Sequence, residues 1–175
     1  MRCANPLLLT ALLLTPSLPA LALPSDSEQP IRIQANSATL DDRNNTAVYT
    51  GNVIVTQGTM RLTGNRVTLN TDANGEVSKI VSVGSPATYR QTPREGQTPI
   101  NARGLTIEYH ADVERIILIE QAFLEQDSNT FRGEYVTYDI QRQVVDAGRA
   151  PGASGPSASG DERIEIIIQP RRRSE

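Results

Sequence analysis

The chain has 175 residues, 17 basic and 20 acidic side chains, one cysteine, one histidine and no tryptophan. That inventory leaves no soft-ligand metal site, and a net charge of −3 gives no bulk signal for nucleic acid. Lys79 is the sole lysine; arginine-rich basicity suits a phosphorylated ligand through the planar guanidinium fork, but biased base composition is the preferred account.

The opening "MRCANPLLLTALLLTPSLPALALPSD" reads as a signal peptide over residues 1–22. Arg2 supplies the positive start, Leu7 to Leu14 the apolar run, and Ala20-Leu21-Ala22 the small-x-small cleavage box. The run is too short to span a bilayer. Cys3 falls inside this leader, so the exported product has no cysteine. Export without disulfides points to a bacterial envelope compartment. Removing 22 residues from 175 leaves 153 with a net charge of −4, which suits one domain.

After an arm over 23–30, the pattern is that of strands. No window outside the leader keeps apolar residues at helical spacing with caps. Strands are expected at Ile31 to Ala35, Asn45 to Gly58, Thr59 to Asn70 and Lys79 to Gln91, then at Pro99 to Ala111, Glu114 to Gln126, Thr130 to Ile140 and Arg163 to Pro170. Valine, isoleucine, threonine and tyrosine fill them. "DDRNN", "TDANGE" and "DSN" are hairpin turns, since asparagine and glycine tolerate positive φ. The strands before Gly148 form one unit, 31–148. A Gly/Ser/Pro linker over 149–162, a last strand over 163–170 and a basic tail over 171–175 follow.

The unit repeats itself at an offset of 69 residues, which aligns Ile31–Asn70 with Ile100–Asp139 without a gap. Identities are few, but Leu40/Tyr109, Val48/Ile117, Val55/Leu124, Leu62/Phe131 and Leu69/Tyr138 stay apolar. Two sheet-forming halves stacked along one axis are expected. Alternation then assigns an apolar face. It carries Tyr49, Val53 and Val55, then Met60 and Leu62, then Val67 and Leu69. In the second half it carries Ile116, Leu118, Ala122 and Leu124, then Phe131, Val136 and Tyr138. Either the two inner faces pack together as in a closed sandwich, or they leave a slot for acyl chains.

Catalytic chemistry finds no support. His110 stands at a strand end beside Asp112 and Glu114, and Asp41, Asp42, Asp72 and Asp112 fall in turns where carboxylates cap backbone groups. No two carboxylates can be paired across a cleft, and no glycine spacing leads into a helix that would hold phosphate. Not an enzyme is the expectation, with no catalytic residue and no metal.

Over "QPIRIQANSATLDDRNNTAVYTGNVIVTQGTMRLTGNRVTL", supported by "GSPATYRQ" and "DSNTFRGEYVTYDI", the chain resembles the LptA (OstA-like) family of periplasmic lipopolysaccharide-transport bridge proteins. The resemblance implies a twisted antiparallel β-jellyroll, open at both ends, with an apolar groove and no cofactor. It implies a periplasmic carrier that takes lipopolysaccharide from an inner-membrane export complex to an outer-membrane translocon, with the lipid A acyl chains in the groove. Pro30, Ile31 and Ile33 match the family's ligand contacts near the first strand, and Leu40 with the inner-face residues above extends that lining. Arg61 and Arg90 are candidate phosphate or sugar contacts at the rim. Homologous jellyrolls, or further copies of the chain head to tail, are expected to pair with the edge strands that hold Ile31, Arg32 and Ile33 at one end and Ile164, Ile166 and Ile168 at the other. A strand-adding envelope adaptor with a closed core and no lipid is the alternative, and a hydrolase of envelope glycans a third reading.

Overall fold

The computed structural model describes residues 26–148, 150 and 163–170. The leader, the linker other than residue 150 and the basic tail lie outside them. A short 3₁₀ turn at Asp26–Glu28 precedes ten strands, β1 Arg32–Gln34, β2 Ser37–Asp41, β3 Thr46–Gln57, β4 Met60–Thr71, β5 Val77–Gln91, β6 Ile100–His110, β7 Arg115–Gln126, β8 Asn129–Asp139, β9 Val144–Gly148 and β10 Glu165–Ile167. They form one antiparallel sheet in which β3 to β8 are neighbours in chain order. The fold is an antiparallel β-jellyroll whose edge strands do not pair with one another.

Each edge is made in the same way. β1 and β2 lie end to end along β3, and β10 and β9 lie end to end along β8. β2 and β9 are not expected from sequence alone. Ser37–Asp41 carries a single large apolar side chain and is exposed throughout, so no alternation betrays it. β9 is five residues long and follows directly on a turn.

The 69-residue repeat is realised in three dimensions. β3 and β7 occupy equivalent ranges, as do β4 and β8. β6 is the continuous counterpart of β1 and β2 together, with Gly104 where the chain steps between them.

Every long strand carries an irregularity near its middle, and these lie side by side. The register shifts at Thr50/Val53, Thr63/Arg66, Val83/Ala87, Arg103/Thr106 and Ile119/Ala122. A bulge bends its strand and sharpens the local twist, so a row of them creases the sheet. Glycine makes the crease possible at two positions especially. Gly51 has φ +85°, and a Cβ there would lie 2.5 Å from Asn36 Nδ2. A Cβ on Gly64 would collide with Ser82 Oγ and lie 2.8 Å from the Val83 carbonyl oxygen. In β7 the bend falls instead on Glu120 and Gln121, both at positive φ.

The crease brings the two half-sheets face to face. Ala102, the strand partner of Tyr89, and Tyr109 are seven residues apart on β6, a span of about 23 Å in a straight strand. The Tyr89 and Tyr109 rings nevertheless lie 6.3 Å apart. Gln126 Nε2 likewise reaches Tyr138 Oη at 3.4 Å from the opposite half.

Three apolar ladders line the interior. On one side of the crease Ile33, Val55, Leu62, Tyr89, Ala102, Leu124, Phe131 and Ile166 follow one another across eight strands. On the other side one ladder runs Leu40, Ala47, Leu69, Ile80, Tyr109, Ile116, Tyr138 and Val145. The third runs Ala38, Tyr49, Val67, Ser82, Ile107, Leu118, Val136 and Ala147, with one serine among the larger apolar side chains. Ser82 Oγ donates to the Thr63 carbonyl at 3.0 Å, so its polarity is satisfied.

Ladder centres are sealed, with Val55, Leu62, Ile80 and Leu124 at 0 % exposure. Leu62→Ala is therefore expected to lower the unfolding free energy by about 2–5 kcal/mol. Thr68→Ala, on the outer face of the same strand, is expected to cost less than about 1 kcal/mol. Urea titrations of the two variants check both values.

Candidate functional site

The inner face is the natural place for an apolar ligand, and its access is set by the seam where the half-sheets meet opposite the crease. At one end the seam is latched. Arg94 Nη2 donates to the Gln141 carbonyl at 3.4 Å, and Gln143 Nε2 donates to Gln97 Oε1 at 2.8 Å. At the other end a cavity of about 730 Å³ opens between the halves. Ser27, Gln29, Ile31 and Gln57 line one wall; Val77, Tyr109 and Ala111 line the other, together with Asp72, Glu76 and Asp112.

The segment before β1 straps across this opening. Gln57 Nε2 donates to the carbonyls of Ser27 and Gln29, both at 3.1 Å. The Asp26 carboxylate accepts from Thr59 N at 2.7 Å, Thr59 Oγ1 at 2.5 Å and Gln91 Nε2 at 2.8 Å. Tyr89 Oη in turn donates to Gln91 Oε1. The buried polar groups at this end are thus tied to the strap. The turn acids are local caps, Asp41 accepting from Arg43 N and Asn44 N, and Asp72 from Asn74 N and Glu76 N. These bonds lower both carboxyls below their ordinary value, led by Asn44 for Asp41 and by Glu76 for Asp72.

Most of the residues expected on the inner face belong to one buried cluster. Val53, Val55, Met60, Leu62, Val67, Leu69, Leu118, Leu124, Val136 and Tyr138 are buried, while Ile31, Ile33, Tyr49 and Phe131 pack half-buried against them. Two are not enclosed. Pro30 is exposed beyond the end of β1. Leu40 points to the inner side but is 67 % exposed, because β2 is an edge strand with no neighbour beyond it. Its repeat equivalent Tyr109 is covered because β5 lies alongside. Ile164 and Ile166 lie at the far edge and Ile168 is 73 % exposed beyond the end of β10.

Sequence reasoning misses the β5 and β6 contribution, namely Ile80, Ala87, Tyr89, Ile100, Ala102 and Ile107. In β5 the alternation runs Ile80, Ser82, Gly84 and then restarts at Ala87 and Tyr89 after the cis Ser85–Pro86 bond. One hydroxyl and one parity change hide the pattern. His110 is a strand-end residue partnered by Glu108 at 3.0 Å, and Glu108 also binds Lys79 at 2.7 Å. Among the described residues no group of three or more His, Cys, Asp or Glu could hold a metal ion. Arg61 and Arg90 face each other on adjacent strands, on the outer side of the sheet and each one residue from the seam-side end of its strand.

An open, creased sheet with apolar ladders is the geometry to compare with known proteins. The model of the family described as LptA/(LptD N-terminal domain) LPS transport protein matches residues 32–144. The chain belongs to this family. It is 51 % identical over 156 residues to the lipopolysaccharide export system protein LptH of Pseudomonas aeruginosa, covering 89 % of this chain and 88 % of that one. It is 34 % identical over 143 residues to LptA of Escherichia coli K12, covering 81 % and 76 %. The crystal structure of P. aeruginosa LptH, described as the LptA-homologous periplasmic component of the lipopolysaccharide transport device, superposes with a TM-score of 0.76 and covers 84 % of this chain and all of that one. The family's jellyroll is therefore the frame in which the strap and the seam sit.

Two outcomes test this site. Asp26→Ala removes the acceptor of three hydrogen bonds and is expected to release residues 26–30, read as faster amide exchange there and earlier cleavage by proteases. Tyr109 gives a pH signature. Burial first, with the charges of Glu114 and Asp26 adding, pushes its phenol up to about 12, against about 10 in an unfolded chain. Stability held by the neutral phenol is intact below about pH 10 and lost as pH rises towards about 12. Urea midpoints should fall over that window, and Tyr109→Phe should flatten part of the fall.

Proposed function

We propose that this protein is a periplasmic lipopolysaccharide carrier of the export bridge, holding lipid A acyl chains between its half-sheets. The observation that carries the reading is the set of three apolar ladders, which run from one sheet edge to the other within a chain of the LPS transport family. Each methylene moved from water into such a lining contributes about 0.8 kcal/mol. The edge strands supply the joints. β1 with β2, and β9 with β10, leave backbone groups that a further jellyroll, either another copy or a homologous partner at the inner or outer membrane, can pair with. The leader over 1–22 is removed on export. The protein does no catalysis and uses no cofactor, the driving energy being supplied by its inner-membrane partners.

One observation favours the rival adaptor with a closed core: the ladder centres are sealed by contact between the halves. A carrier must therefore open along the seam, and its latched end at Gln97 and Gln143 is the part that has to give.

A photo-crosslinking residue at position 62 of the purified exported protein, compared with one at 63, separates the two readings. Leu62 faces inward and Thr63 outward. The carrier is expected to crosslink lipopolysaccharide from 62 only, and to keep doing so in excess phospholipid. A folded protein that crosslinks at neither position would establish the adaptor.

A further inference from the structure

The outer face of the half-sheet that bears the Leu62 ladder carries a concentration of positive charge in an otherwise acidic protein. Arg61 and Arg90 are direct cross-strand partners. Arg90 is next to Asn101 on β6, and Arg103 lies two residues further along the same face. Like charges placed directly opposite on neighbouring strands destabilise a sheet. A carboxylate would ordinarily relieve them, yet among the described residues none of these three guanidinium groups makes an ion pair. Arg132, two strands further on, does find a carboxylate, Glu165 at 3.3 Å.

The three are also held in position. Arg90 Nη1 donates to Asn101 Oδ1 at 2.9 Å. The Arg103 guanidinium stacks over the Phe123 ring, 4.1 Å from its centre, a contact that restrains it without consuming its charge. Together with Glu125, these residues line a depression of about 340 Å³. Three cations against one carboxylate leave the depression net positive.

We infer that this depression is a binding site for a saccharide-borne phosphomonoester, bound on the outside of the sheet by Arg61, Arg90 and Arg103. A guanidinium fork grips a phosphate through paired charge-assisted hydrogen bonds, and a bound dianion removes the repulsion that the bare site sustains. Asn101 and Thr88 offer neutral polar groups beside it for sugar hydroxyls. A concave site of this size fits a discrete ionic group better than a planar lipid surface, and Phe123 lies beneath guanidinium groups instead of projecting as a membrane anchor. Arg61 stands two residues from Thr59 in the β3–β4 turn, about 7 Å along the strand. A phosphorylated headgroup can reach it around the seam. The inference rests on the carrier reading only for the source of the phosphosugar.

The test uses a probe without acyl chains, the bisphosphorylated glucosamine disaccharide left when lipid A is fully deacylated, so that a failed groove and a failed outer site give different results. Nitrogen-15 NMR titration of the purified exported protein should show saturable shifts of the arginine Nε–Hε groups and of backbone amides near 61, 90 and 103. The dephosphorylated disaccharide should cause none. Arg61→Gln, Arg90→Gln and Arg103→Gln should each weaken binding about tenfold, the worth of one charge-assisted contact. Arg66→Gln, exposed on the other half-sheet, should leave it unchanged. Arg90→Lys, which keeps the charge and loses the fork, should fall between. In phosphate-free buffer Arg61→Gln should melt no earlier than the parent, showing that lost binding is not lost fold. Absence of saturable shifts, or shifts that the three substitutions leave intact, would overturn the site. A response to phosphatidylglycerol vesicles but not to the disaccharide would overturn it too, making the face a membrane contact.

Discussion

Everything in this molecule depends on the crease. A strand of eleven to fifteen residues is long for a small protein, and a flat sheet of such strands would leave its apolar side in water. Bulges aligned from β3 to β7 fold that side upon itself. Bending is what turns one sheet into two facing walls, and it does so without a second sheet, a helix or a disulfide. The interior is therefore continuous along the stacking direction and stops only where the strands stop.

The same bend separates the tasks of the surfaces. Inside, hydrocarbon ladders cross from edge to edge, interrupted by one satisfied serine hydroxyl. At the seam the residues are glutamines, turn acids and the Asp26 strap, all of which exchange hydrogen bonds readily with water. Outside, threonines and arginines share the surface, with arginines gathered on one half. A long amphiphile entering between the walls would meet these chemistries in the order in which its own parts change from hydrocarbon to sugar.

Much of this was legible in the chain. Alternation located the inner face on β3, β4, β7 and β8, because apolar side chains hold the inner positions on either side of the bend, and Gly51, Gly64 and Gly133 mark that bend in β3, β4 and β8. It failed on β5, where Ser82 and the parity change at Gly84–Ala87 break the pattern, and on β2, where Ser37–Asp41 is exposed along its length. Hairpin turns were readable from their asparagines and glycines. The strap was not, since Asp26 finds Thr59 and Gln91 only after the sheet folds. Arg61 and Arg90 were picked out as residues, but their apposition is a matter of register, which no local pattern encodes. Leu40 shows the opposite limit, where the repeat gave the correct face and the edge position left it uncovered.

The equivalence between β6 and the β1–β2 pair carries a consequence for whatever extends the sheet. β6 is covered on its open flank by β5, which sets Ile80 beside Tyr109 and Tyr89 beside Ala102. β1 and β2 offer the same template, with Leu40 and Ile33 in those places and nothing alongside. The protein's internal joint is thus a mould of its open edge. A newcomer that matched only the backbone would leave Leu40 wet; one that repeats the hydrocarbon spacing of β5 would continue the interior without a step. A strand added at this edge would be matched by side-chain cadence, a criterion the molecule has already met once within itself.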